Sequence, residues 1–199
     1  VTHVCGWPFA AVHRNDMELV GAFDLDLPEA EDGRYRSVLL SPDPTPADAI
    51  DPAATHAVAN SADSLSGWLS LLAATVGTRE RWPGTVTYTS SHHDSVRALA
   101  EGEADLACID SWSLALITHD EPELLRGLHR VGLGPAVPTP PVTVRKSVDA
   151  HRIDELRTAF GDALADPATA RARAALRILG AAANTLDDYV ATLTLGPST

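Results

Sequence analysis

Basic residues are scarce in this chain of 199 residues: 15 lysines and arginines stand against 27 aspartates and glutamates, for a formal charge of −12. With no basic run to displace counterions, nucleic-acid backbones and anionic membranes are poor partners. Long hydrophobic runs are missing as well. No segment reaches the roughly 18 consecutive apolar residues that a membrane-spanning helix needs. Cysteine is limited to Cys5 and Cys108, far apart and without CxxC spacing, which points to two buried thiols and to neither a disulfide framework nor a zinc site. Motifs of the G-x-S-x-G, P-loop, G-x-G-x-x-G and H-E-x-x-H kinds do not occur, nor does any internal repeat.

What is present is enough for a packed fold. The hydrophobic content of 45% can fill one large core or two small ones. Short β-like runs at Ser37–Ser41, Thr55–Ala59, Thr85–Thr89, Ala104–Ile109 and Pro141–Arg145 alternate with helical stretches, which predicts an α/β architecture. Helices are expected over Ser66–Thr75, His93–Glu101, Ser111–Thr118, Pro122–Arg126, Ala150–Ala165 and Pro167–Leu179. Two proline-rich stretches, from Pro42 to Pro46 and from Pro135 to Pro141, punctuate the chain. They divide it into three blocks, read either as two lobes, the first from residues 1–42 and 136–199 and the second from 43–135, or as one domain with two surface loops. The chain opens at Val1-Thr2-His3 without an initiator Met and inside a strand pattern, so an upstream segment is expected and the first lobe is read as incomplete.

Three strand-to-helix junctions carry the chemistry. Asn60 to Gly67 follows one strand and leads into the helix near Trp68. The open N–H groups of that helix, with the hydroxyls of Ser64 and Ser66 and close backbone approach at Gly67, make a cradle for an oxyanion without a lysine. Ser64 and Ser66 are equally suited to plain helix capping. Thr89 to Ser95 repeats the arrangement, with Ser91 and His92 as donors. Two such turns would be neighbours at the carboxyl edge of one parallel sheet, where α/β ligands usually sit. The third junction ends in Asp110, read either as a cap for the next helix or as a carboxylate facing the ligand. In the second case it would select protonated oxyanions or aminoalkyl phosphonates. A metal pair at His92-His93 lacks a third ligand, and no cofactor is indicated.

The ordered set Cys5-Gly6-Trp7-Pro8, Tyr35-Arg36-Ser37, Asn60 through Ser64-Leu65-Ser66-Gly67, Ser91-His92 with Ser95, and Ala104-Asp105 through Ile109-Asp110-Ser111 resembles the phosphate/phosphite/phosphonate substrate-binding proteins of ABC importers. The resemblance covers nearly the whole chain. It implies a type II periplasmic-binding-protein fold, with two α/β lobes joined by a hinge, and a non-enzymatic monomer outside the cytoplasm. Such a protein would deliver a small phosphorus oxyanion or phosphonate to a transporter permease. A ligand-sensing lobe of a regulatory protein is the alternative use of the same fold, and an enzyme acting on a phosphorus ester is a third. Binding residues carried over by the resemblance are Ser64, Ser66, His92, Asp110 and Tyr35. Trp7 stands where the family usually has tyrosine, and either stacks over an organic substituent or packs beneath the cleft.

Overall fold

The computed structural model describes residues 1–78 and 81–196. Its strands in chain order are β1 (Thr2–His3), β2 (Met17–Leu25), β3 (Ala30–Glu31), β4 (Arg34–Tyr35), β5 (Ser37–Ser41), β6 (Ala57–Ala59), β7 (Val86–Tyr88), β8 (Leu106–Asp110), β9 (His129–Leu133), β10 (Val137–Pro138), β11 (Pro141–Arg145) and β12 (Ile178–Ala182). The helices are α1 (Gly6–Pro8), α2 (Ser70–Thr75), α3 (His92–Ala100), α4 (Ser111–Asp120), α5 (Ala150–Ala165), α6 (Ala170–Ala175) and α7 (Leu186–Ala191). A π-type turn at Leu65–Leu69 runs straight into α2. By internal contacts the chain divides into two compact units. One is Val1–Tyr35 with Val137–Leu193, and the other is Arg36–Ala136 with Thr194 and the described residues after it.

The first unit is built on an antiparallel sheet in the order β1-β11-β2-β12. Successive residues of β2 face opposite sides. Val20 joins Val142, Val144 and Ile153 under α5, whereas Leu19 and Met17 lie with Phe9 and Tyr189. The hairpin of β3 and β4 turns through Asp32 and Gly33, both at positive φ (50° and 70°), the two-residue turn whose twist suits an antiparallel pair. Gly33 is further constrained, since a Cβ there would lie 2.6 Å from that of Ala182. The expected helix from Pro167 to Leu179 is instead a short one. It stops at Ala175, Arg177 takes φ +57°, and the chain leaves as β12.

The second unit holds a five-stranded sheet in the order β7-β6-β8-β5-β9. Here β6 is parallel to both β7 and β8, while β5 runs antiparallel to β8 and β9. Every residue of β5 and β8 is buried, as a strand covered on both faces requires. Val38, Leu40, Ala107 and Ile109 pack into one layer with Val96, Leu99 and Leu114 of α3 and α4. Leu39, Leu106 and Cys108 pack into the other with Leu71 and Leu72 of α2. The strand Ser37–Ser41, which the Pro42 boundary assigns to the first lobe, therefore counts with the second unit through its pairing to β8 and β9.

Candidate functional site

Three parallel strands stand side by side in the second unit, and each ends in a turn that opens a helix. Parallel pairing puts their carboxyl ends at one edge, with Ala59 level with Tyr88 and Val58 level with Ala107. After β6, Ser64 Oγ accepts the Gly67 N–H at 3.0 Å and caps the π-type turn. After β7, Ser91 Oγ accepts the Asp94 N–H at 2.9 Å and caps α3. At the end of β8, Asp110 Oδ1 accepts the Ser113 N–H at 2.7 Å and caps α4. The same edge thus gathers three helix N-termini, each with its partial positive charge. This is where open α/β sheets place their ligands.

The second junction is shaped by Ser90. Its φ of +74° lies in the left-handed region, unusual for a residue with a Cβ, and its N–H donates to Asn60 O at 3.0 Å. That bond ties the β7 turn to the β6 turn. Strain of this kind collects where a loop must hold a set geometry.

Between the three caps lies a compact polar cluster. Ser66 Oγ is 3.0 Å from His92 Nε2, and the same nitrogen is 3.2 Å from Asp110 Oδ2. The His92 and Asp110 side chains keep 12% and 11% of their surface exposed, and Ser66 is buried. Around this cluster are buried polar atoms with no hydrogen-bond partner: Asn60 Oδ1, His92 Nδ1 and Ser111 Oγ. Unsatisfied buried polar groups are costly and uncommon, so their grouping at one sheet edge makes this the candidate site. A cavity of about 320 Å³ borders it, lined in part by Ser91, His92 and Ser113. A larger cavity of about 540 Å³ runs along Trp68, Trp82 and Tyr88 and includes none of Ser66, His92 and Asp110. The smaller one is the better candidate because His92 of the cluster lines it.

The residues named from sequence separate into three sets. Ser66, His92 and Asp110 meet in one cluster. Ser64, Gly67 and Ser91 belong to the same edge but spend their polar groups on the protein. The Gly67 N–H goes to Ser64, and the Ser91 hydroxyl donates to Asp94 Oδ2 at 2.7 Å. Gly67 matters for another reason: a Cβ there would overlap Asn60 Oδ1. Tyr35 and Trp7 lie in the first unit. Tyr35 is buried in β4, paired with Val137 and Ala30, and Trp7 is buried with its Nε1 unpartnered. Asn60 and Ser111 are additions. Both sat inside motifs legible in the sequence, and only burial reveals that their polar atoms lack partners. Among the described residues no cluster of His, Cys, Asp and Glu suits a metal ion. Burial pushes the Cys108 thiol well above its ordinary pKa, which leaves it inert as a nucleophile.

A family model described as the periplasmic substrate-binding protein of phosphonate ABC transporters matches residues 1–189. Among solved structures, a binding-protein component of an ABC phosphonate transporter from Pseudomonas aeruginosa superposes with a TM-score of 0.71 at 18% identity, over 94% of this chain and 64% of that one. A Xanthomonas citri protein bound to ATP gives 0.69 at 15% identity, over 96% of this chain and 76% of its own. A Prochlorococcus marinus protein in complex with methylphosphonate gives 0.63 at 10% identity, over 88% and 70%. At these identities the likeness is one of two-lobed fold. No curated protein matches the chain.

Proposed function

The chain belongs to the periplasmic substrate-binding proteins of phosphonate ABC transporters, and from that membership we propose that it captures a phosphonate, phosphite or phosphate-type oxyanion and presents it to a transporter permease. A solute-binding role is common to that family, as is an extracytoplasmic location. Among the described residues no helix is long and apolar enough to cross a membrane.

The observation that carries the ligand assignment is the convergence of three capped helix N-termini on the cluster of Ser66, His92 and Asp110. Fixed backbone dipoles favour an anion without a neighbouring lysine or arginine. A hydroxyl supplies a directed donor to a tetrahedral group, and the imidazole supplies another when its free ring nitrogen carries a hydrogen. A boundary between lobes close to the two proline-rich stretches is part of the same proposal, as are Tyr35 and Trp7 as ligand-binding residues.

The cluster also argues for binding over nucleophilic catalysis. A serine activated by histidine needs the acid on the opposite ring nitrogen, so that Nε2 is free to take the hydroxyl proton. Here Ser66 and Asp110 face the same Nε2, and Nδ1 has no partner.

Titration calorimetry of the protein with phosphate, phosphite, methylphosphonate and aminoethylphosphonate, with sulfate as control, tests the assignment. One phosphorus anion should bind at least tenfold tighter than sulfate, and Ser66→Ala, which removes a directed hydrogen bond worth about 1–2 kcal/mol, should weaken it by roughly ten-fold. Equal silence from all five anions would sink the reading.

A further inference from the structure

We infer that the site takes up its anion together with one proton, held between His92 Nδ1 and the ligand, and that Asp110 supports this as a positioning residue that holds the imidazole without touching the ligand. The inference rests on the anion-binding reading above and says which protonation state that site selects.

The argument begins with the shared nitrogen. A carboxylate only accepts, so the 3.2 Å approach of Asp110 Oδ2 assigns a hydrogen to His92 Nε2. The other carboxylate oxygen is occupied by the Ser113 N–H at 2.7 Å. Each Asp110 oxygen thus has a protein partner, and in this proposal the carboxylate holds the ring and does not face the ligand. With the hydrogen on Nε2, a neutral ring leaves Nδ1 as a bare acceptor, and that atom is buried without a partner. The oxygens of a fully ionised phosphonate are acceptors too. Two lone pairs facing each other repel, so the complex needs one hydrogen between Nδ1 and the nearest ligand oxygen. It can arrive on the imidazole or on the oxyanion, and the proton count is the same. Where neither the imidazole nor the oxyanion already carries that hydrogen, it must come from solvent.

Most other charges near His92 are engaged elsewhere. On its own helix, Asp94 pairs with Arg97 at 3.2 Å, and His93 pairs with Glu121 at 2.8 Å. From α4 and the turn after it, Asp120 and Glu121 border the adjoining cavity; His119 is exposed, as is Glu123 of Pro122–Leu125. β6 contributes no ionisable group and β8 contributes Asp110, with the buried thiol of Cys108 in the opposite layer. Asp110 is thus the countercharge within reach of the His92 ring.

The test is calorimetry of the full chain with methylphosphonate, and inorganic phosphate as second probe, at about pH 6 and about pH 8.5 in buffers of low and high ionisation heat. At the higher pH the apparent enthalpy should change with buffer, with a slope approaching one proton per anion, and affinity should fall by up to about tenfold per pH unit. His92→Gln, which offers an amide donor without a titrating group, should abolish the buffer dependence. Asp110→Asn keeps the helix cap, because asparagine caps as well as aspartate, and should move the fall in affinity to lower pH. Binding without buffer dependence would overturn the inference and leave the anion-binding reading standing. Silence from both probes would overturn both, and an Asp110→Asn loss of equal factor at both pH values would remove Asp110 from the positioning role.

Discussion

Gly67→Ala isolates the packing that shapes the first junction. An alanine Cβ at this position would overlap Asn60 Oδ1 and approach Ser64 Oγ to 3.1 Å, the oxygen that caps the turn. Overpacking of this kind costs about 1–3 kcal/mol, and disturbing the cap adds about 1 kcal/mol. Against this stands a gain of about 1 kcal/mol from replacing glycine by alanine in a helical turn. The balance is a loss of about 2 kcal/mol, or a fall in Tm of roughly 4–8 °C for a chain of this size. Thermal melts followed by circular dichroism would measure it. The double variant Asn60→Ala/Gly67→Ala removes the obstructing oxygen, so it should recover most of the loss, with a coupling of about 1–3 kcal/mol. A single Gly67→Ala variant that melts at or above the parent temperature would refute the close approach of Asn60.

Other consequences are open to measurement. Ile109 is fully buried between β8 and the helices above it, so Ile109→Ala should destabilise the protein by about 2–5 kcal/mol in urea unfolding. Tyr189 is fully buried in the first unit; its hydroxyl donates to Thr139 O at 2.9 Å, and desolvation pushes its pKa up to about 12. The folded state thus favours the neutral phenol. Its contribution, of order 2–3 kcal/mol, is complete below the unfolded value of about 10 and is lost as pH rises toward 12. Tyr189→Phe should remove that part of the alkaline loss of stability, and an unchanged alkaline melting profile would count against it.

Much of the second unit can be read from its sequence, because its strands are apolar runs bounded by serine, glycine and proline. Ser37–Ser41 is found with the bounds that its pattern suggests, as are Pro141–Arg145 and Ala150–Ala165 in the first unit. The first unit hides more. β2 mixes Glu18 and Asp24 into an apolar run and is half-buried along much of its length, so no clean alternation marks it. β12 follows an Ala- and Arg-rich stretch that reads as continuous helix, and the break falls at Arg177, a residue with no turn preference. Asp32-Gly33 was a legible hairpin signal. In the site, Ser66, His92 and Asp110 stand out by residue type and junction. That one ring nitrogen serves both the hydroxyl and the carboxylate depends on rotamers, on which spacing is silent. The same holds for Asn60 and Ser111, whose importance comes from what their atoms fail to reach.

The left-handed serine at position 90 restricts what evolution or a mutagenesis library can put there. Branched side chains such as valine, isoleucine and threonine clash in that conformation, whereas glycine, asparagine and aspartate are admitted. Saturation of this single codon, scored by folded yield, should therefore return a short and chemically uniform set of survivors drawn by backbone shape alone.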